Sequence, residues 1–449
     1  MDKNKKKKHK SPYFWIIISF LAVIVIGTIL LMIPFSTTKD GGLTLIEAFF
    51  TTVSCVCVTG LSVVSNPGEA FTTFGKFVML ILIEIGGLSF LTLTVFFLSA
   101  FKVKLGISES FLMREQLGQN TLKNLEVLIK KIVRLTLIIQ AIGAIISTFI
   151  IYFSHDSNLS FSFWDSFKIG VFHSISTFNN AGFDIFGTPY SMIPYAANVP
   201  LNIITIILII LGGLGFVVII DIGQKKSFRK LTLHSKITLV TTTVLVVGGA
   251  ILIKCSMIND MTFLEALFLS VTSRTCGSTT YDLSKISNAC YCIVLILMFI
   301  GGSSGSCAGG VKTSTIFVVV TFIFYYIKGK TPRAFYRKIS NKILLKSLAL
   351  INFALMFNIL MTALICAFES GNPDIEFKAI LFEQVSAFST TGLSLGITES
   401  LTIASKIVLC ISMFVGRVGP LTFMAMMNKQ WLYESEEKVK YVEENIMIG

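Results

Sequence analysis

Apolar residues along this chain gather into eight long runs, and polar residues collect in the segments between them. The runs cover roughly 13–35, 74–99, 128–153, 199–221, 236–256, 289–327, 343–368 and 403–427. A bilayer-spanning helix needs about 20 mainly apolar residues. Each run therefore predicts one spanning helix, the sixth of them interrupted. Inside each successive pair lies a shorter apolar segment, such as 45–58 or 263–273, that cannot span. These predict re-entrant helices that enter the membrane and end midway. Glu47, Asp165 and Glu265 mark some of their starts, which suits a helix N-terminus. Their C-terminal ends then aim partial negative charge at the centre.

The short segments share one motif: Phe, two residues, Val or Ile, Ser or Thr, and a Gly shortly after. The copies start at Phe50, Phe172, Phe268 and Phe382 and end at Gly60, Gly182, Gly277 and Gly392. The Phe-to-Gly distance is ten residues in three copies and nine in the third. Four same-sense repeats predict an all-α membrane protein of four tandem helix–pore-helix–helix units. That makes eight spanning helices plus four re-entrant pore helices around one central pore. The expected boundaries are a basic cytoplasmic N-terminus at 1–12 and repeats at 13–99, 128–221, 236–327 and 343–427. Cytoplasmic linkers at 100–127, 222–235 and 328–342 separate the repeats, and a cytoplasmic tail covers 428–449.

Composition removes the soluble alternative. Only 14% of residues are charged, against about 25% in soluble domains. The first run is too long for a signal peptide and no small-residue cleavage site follows it, so it reads as a retained spanning helix. Net charge is +13, but its distribution argues against nucleic acid. With both termini inside, the five cytoplasmic segments hold 28 of the 38 Lys and Arg, and the outer segments hold seven. This is the positive-inside pattern. Arg274, Lys312 and Arg417 are left over at membrane depth, where an ionisable residue is costly and points to function.

The glycine segments suit a bare cation. Irregular backbone at membrane depth survives only if it lines water or is buried in protein. Four Gly-containing strands can form rings of carbonyl oxygens that replace an ion's hydration shell. The expected selectivity filter is Val58, Thr59 and Gly60, with Asn180, Ala181 and Gly182, Thr275, Cys276 and Gly277, and Thr390, Thr391 and Gly392. Potassium at these carbonyls is the expected substrate, and no covalent cofactor is expected. The bland alternative is that the glycines only let helices pack closely.

A second repeat lies 26, 30, 24 and 24 residues beyond the filter glycines. It reads Gly86-Gly87, Gly212-Gly213, Gly301-Gly302 and Gly416-Arg417. A guanidinium at Arg417 would reach the pore axis as a positive barrier, or else snorkel to the inner face. Gly301, Gly302, Ser303, Ser304, Gly305, Ser306, Cys307, Ala308, Gly309 and Gly310, with Lys312, break the third inward helix. This run reads as an intramembrane gate under the filter. Gly305 and Gly310 have phosphate-loop spacing, but Val311 separates Gly310 from Lys312 and the required Gly-Lys pair is missing. Glu84 is also deep, with either a cationic or a structural partner.

Other chemistry is weak. The nine cysteines, Cys55 and Cys57 among them, show no zinc spacing and read as small apolar wall residues. His9, His155, His173 and His234 form no metal or triad spacing, so no enzyme is expected, and His173 reads as a packed, hydrogen-bonded side chain. A secondary transporter with broken helices is the competing reading, though such folds usually show two-fold inverted repeats.

These motifs resemble the Trk/Ktr/HKT superfamily of potassium transporters over nearly the whole chain, and most closely its bacterial KtrB membrane subunits. The likeness rests on Val-Thr-Gly60, Asn-Ala-Gly182, Ser-Arg-Thr-Cys-Gly277, Thr-Thr-Gly392, the 301–313 run and Gly416-Arg-Val-Gly-Pro420. The resemblance implies a homodimer with one pore per protomer. It implies a cytosolic ring of nucleotide-binding (RCK-type) regulatory subunits and sodium as an activator. It also implies that Arg417 and the loop limit flux and that Arg274 braces the filter. Cys276 and Ser278 depart from the family pattern and bear on fine selectivity. Gly60 favours potassium, where sodium-favouring relatives often carry Ser. A sodium-permeable member of the same family is the nearest alternative.

Overall fold

A computed structural model describes residues 12–39, 41–88, 125–154, 161–187, 191–420 and 423. The expected C-terminal tail, almost all of the N-terminal segment and of the 100–127 linker, the ends of the second and eighth runs, and His9 and His155 lie outside them. The described chain is mostly helical, with one two-stranded hairpin, Arg333–Ala334 against Arg337–Lys338.

The helices that position the site are α1 (Pro12–Met32), α2 (Leu45–Val56), α3 (Thr73–Leu88), α4 (Leu125–Phe153), α5 (Phe163–Phe178), α6 (Val199–Leu214) and α7 (Phe216–Lys225). They continue as α8 (Leu233–Ser256), α9 (Phe263–Thr272), α10 (Asn288–Phe299), α11 (Thr313–Ile327), α12 (Asn341–Phe368), α13 (Phe377–Ser389) and α14 (Ile403–Val418). Helices α4, α8 and α12 are long and apolar enough to cross a membrane. Their outward residues, such as Ile145, Val244 and Met356, are exposed and apolar, as a lipid-facing surface requires.

Short helices α2, α5, α9 and α13 have 12, 16, 10 and 13 residues. At a rise of about 1.5 Å per residue none reaches across a core of about 30 Å. Sequence explains where three of them begin. Thr44 with Glu47, and Thr262 with Glu265, form reciprocal capping boxes, while Ser162 caps α5 by accepting from the Asp165 amide. Glu376 caps α13 without a side-chain bond. Burial pulls the Glu47 carboxyl up, but Lys39 and the Thr44 amide and hydroxyl outweigh it, and the net shift is down.

Each short helix packs against the helix before it and the helix after it. In addition, α3 packs on α5, α6 on α9, α10 on α13, and α14 back on α2, so the arrangement closes on itself. The motif phenylalanines Phe50, Phe172, Phe268 and Phe382 are buried within it, with at most 1% of their surface exposed.

Among the described residues two long runs divide into two helices, and in a third, 403–427, the helix ends at Val418 before Gly419 at φ +90°. The 289–327 run separates into α10 and α11 around an irregular segment, as its glycines predict. The 199–221 run, expected as a single span, bends by 97° between α6 and α7. Gly215 sits at the bend with φ +92°, a conformation only glycine adopts freely. The bend frees the last carbonyls of α6, which find partners in the segment between α10 and α11.

Candidate functional site

The four glycine segments meet. A Cβ on Gly60 would collide with the Ala181 carbonyl oxygen, one on Gly182 with that of Cys276, one on Gly277 with that of Thr391, and one on Gly392 with that of Thr59. The contacts run from the first segment to the fourth and back to the first. Glycine is demanded twice at each position, because φ there is also positive: 93°, 68°, 92° and 85°. Val58, Asn180, Thr275 and Thr390, two residues earlier, have positive φ as well. Alternating backbone of this kind turns successive N–H groups to one side, and so carbonyls to the other. It is costly for a side-chain-bearing residue and persists only where the surroundings enforce it.

The short helices supply that enforcement. The amides of Thr59, Ala181 and Thr391 donate to the carbonyls of Ser54, Ser176 and Ser386 at 2.7–2.9 Å, five residues back. In the third copy, one residue shorter, Cys276 donates to Thr272 four residues back. The hydroxyls of those same residues bind the strand again. Ser54 and Ser386 accept from the amides of Gly60 and Gly392 at 3.2 and 3.1 Å. Ser176 and Thr272 donate to the carbonyls of Phe183 and Ser278, both at 2.6 Å. The Ser or Thr of the motif thus fastens the strand to its helix, a role invisible in the sequence because the partner is set by the fold. The N–H groups are spent on the helices, and the carbonyls of Thr59, Ala181, Cys276 and Thr391 remain at the ring.

Inward helices approach the same ring from outside. A Cβ on Gly86, Gly212 or Gly416 would strike the carbonyl oxygen of Val56, Phe178 or Phe388, four residues before Gly60, Gly182 and Gly392 respectively. Gly301 instead faces Gly309, across the irregular segment.

That segment, 300–312, lies beneath the fourth strand, where Gly309 and Gly310 pack on Thr390 and Ser389. Three backbone bonds tie it to the bend at Gly215: the Ser303 and Cys307 amides donate to the carbonyls of Gly213 and Gly212, and the Phe216 amide donates to the Gly305 carbonyl. Gly215 and Phe216 were not singled out by the sequence; only the glycine-rich context hinted at them. Lys312 Nζ donates to the Ala308 carbonyl at 2.6 Å, across its own loop. Arg274 is buried, and its Nη2 donates to the Gly301 carbonyl at 3.3 Å, so it joins the third strand to the start of the loop.

Arg417 spans three parts of the molecule. Its Nη1 donates to the Cys307 carbonyl in the loop, and its Nη2 donates to the carbonyls of Gly86 and Gly87 on α3. Glu84, two residues before Gly86 on α3, accepts from Gln140 at 2.8 Å and from Asn179 at 2.7 Å. Its partners among the described residues are amides, not a cation. His173 is buried and hydrogen-bonded to Thr205 at 2.9 Å, which is the packed role its sequence context suggests. All nine cysteines are free, and no group of three potential metal-ligating side chains occurs among the described residues.

Long apolar helices, shorter helices between them and four glycine segments that meet define a multi-pass helical membrane protein. The chain belongs to the TrkH family of cation transport proteins, whose family model matches residues 1–436. That family consists of transporters, not enzymes. Among curated proteins, the chain is 35% identical to the potassium/sodium uptake protein NtpJ of Enterococcus hirae, over 100% of this chain and 99% of that protein. It is 32% identical to the Ktr system potassium uptake protein B of Bacillus subtilis, over 100% and 99% of the two chains. It is 34% identical to the Vibrio alginolyticus protein of the same name, over 100% and 97%. Among solved structures, the potassium transporter TrkH from Vibrio parahaemolyticus superposes with a TM-score of 0.75 at 16% identity, covering 96% of this chain and 88% of that one. At that identity the likeness establishes the fold.

Proposed function

We propose that this chain is the ion-translocating subunit of a potassium uptake system of the Ktr/Trk kind. Four tandem repeats surround one pore, and the carbonyls of the four glycine strands coordinate a dehydrated potassium ion. The observation that carries this reading is the closed sequence of glycine-to-carbonyl contacts, Gly60–Ala181, Gly182–Cys276, Gly277–Thr391 and Gly392–Thr59. A packing role explains one such contact, but not four that return to their start. The relatives named for potassium uptake support potassium as the cargo.

Below the filter, the 300–312 loop and Arg417 form the gate. The guanidinium is held across the ion path by bonds to the loop on one side and to α3 on the other. A fixed positive charge at that depth raises the barrier to any cation. Opening requires the loop to leave and Arg417 to lose the Cys307 carbonyl. In this reading both termini are cytoplasmic, two copies assemble with one pore each, and a cytosolic nucleotide-binding (RCK-type) ring moves the loop. Sodium acts as an activator. The Ktr system names of the relatives support a partner subunit of this kind.

The test uses purified protein in lipid vesicles and rubidium as the tracer. Arg417→Ala is expected to raise uptake roughly tenfold without any partner, since each factor of ten corresponds to about 1.4 kcal/mol of barrier. Excess potassium should block that uptake and excess sodium should block it weakly. Equal competition by sodium would favour a sodium-permeable member of the family, a reading that the potassium/sodium relative keeps in view. No rubidium uptake by either form would contradict the proposal.

A further inference from the structure

On the far side of the glycine ring from the loop, the chain forms an open cavity of about 330 Å³. Its floor is Gly60, Gly182, Gly277 and Gly392. Two residues past each glycine, a side-chain oxygen lines its wall: Ser62, Asp184, Thr279 and Ser394. Glu399 adds a second carboxylate, and no Lys or Arg is among the described lining residues. The order of the ring contacts places the second and fourth segments opposite each other across the axis. Asp184 follows the second and Glu399 follows the fourth, and the Glu399 carboxylate accepts from Ser65 Oγ of the first segment at 2.8 Å, so the two carboxylates stand on different walls.

The hydroxyls have already committed their protons. Ser62 Oγ donates to the Val64 carbonyl at 2.7 Å, and Thr279 Oγ1 donates to the Tyr281 carbonyl at 2.7 Å. Ser394 Oγ donates at 3.1 Å to Glu383, a buried carboxylate on α13. Each also accepts one backbone amide, from Val64, Tyr281 and Gly396 respectively. A hydroxyl has one donor and two lone pairs, so Ser62 and Thr279 each keep a lone pair for the cavity, while Ser394 Oγ also lies 3.2 Å from Thr398 Oγ1. Carboxylates likewise offer only acceptors. The wall can therefore receive hydrogen bonds from a cation's water shell, and the protons of Ser62, Thr279 and Ser394 are already engaged. The volume far exceeds the ~10–15 Å³ that admits a single water.

We propose that this cavity is a loading site where a hydrated monovalent cation is held before it gives up its water to the filter. The proposal rests on reading the glycine ring as the filter, and it assigns Asp184 and Glu399 the task of concentrating cations at its outer mouth. Charged clefts raise local ion concentration, and mobile salt screens the effect.

The experiment measures the concentration dependence of rubidium uptake into vesicles by the full chain carrying Arg417→Ala, at low and at near-physiological ionic strength. Asp184→Asn combined with Glu399→Gln is expected to raise KM roughly three- to tenfold at low ionic strength, with a smaller rise at high ionic strength. Asp184→Glu should restore most of the loss, which a purely structural role would not allow. Glu399 is exposed, so Glu399→Gln alone carries the test if the Asp184 variant does not reach the membrane. The proposal is overturned if KM stays within twofold, or if the rise is the same at both ionic strengths. Its failure is distinct from failure of the filter, which would appear as rubidium-over-sodium preference that Gly182→Ser leaves unchanged.

Discussion

Gly182 shows how much one missing methyl group decides. A side chain there would meet the Cys276 carbonyl oxygen and would also have to hold φ at +68°. Left-handed backbone of this kind costs about 1–3 kcal/mol for a residue with a Cβ, and the collision must be relieved by moving the next strand. Gly182→Ser is therefore expected to reduce potassium preference over sodium in rubidium-competition assays by at least several-fold, because in the proposed reading the displaced carbonyl coordinates the ion. Unchanged competition would remove Gly182 from the ion path. At this scale the sequence was highly legible. The glycines were visible through their fourfold recurrence, and Arg417 and Lys312 through a charge count that left them at membrane depth. Their partners were not legible. Nothing in the linear pattern says that Arg417 reaches Cys307 and Gly86, since those contacts join residues more than a hundred positions apart.

Among the elements, the pairing of the 300–312 loop with the bend at Gly215 matters most. The loop was readable as a break because five glycines within ten residues defeat a helix. The bend was not, because 199–221 is largely apolar and its glycines resemble those of an ordinary packed helix. What breaks it is tertiary: the loop's amides capture the carbonyls of Gly212 and Gly213, and Gly305 receives the amide that would have continued the helix. Each freed polar group inside a membrane costs several kcal/mol unless paired, so loop and bend stabilise each other. Deleting residues 303–311 is expected to raise partner-independent rubidium flux, with protein expression unchanged. Gly215→Ala, strained at φ +92°, should raise it to a smaller degree and lower the thermal midpoint in detergent. A fall in flux for both variants, at normal expression, would contradict the gate.

Over the whole molecule, the run pattern and the charge distribution anticipated a multi-pass helical protein before any contact was known. The order in which the repeats close, α3 on α5, α6 on α9, α10 on α13 and α14 on α2, could not be read from the chain, because a repeat carries no mark of its neighbour. That closure turns four similar segments into one ring, and the ion-coordinating filter is the claim on which gate and loading site both depend. The most direct measurement is a structure of the protein in rubidium solution, with the ion located by its anomalous signal. The account predicts density on the ring axis, within coordinating distance of the Thr59, Ala181, Cys276 and Thr391 carbonyls. Density confined to other sites, with the axis unoccupied at saturating rubidium, would contradict it.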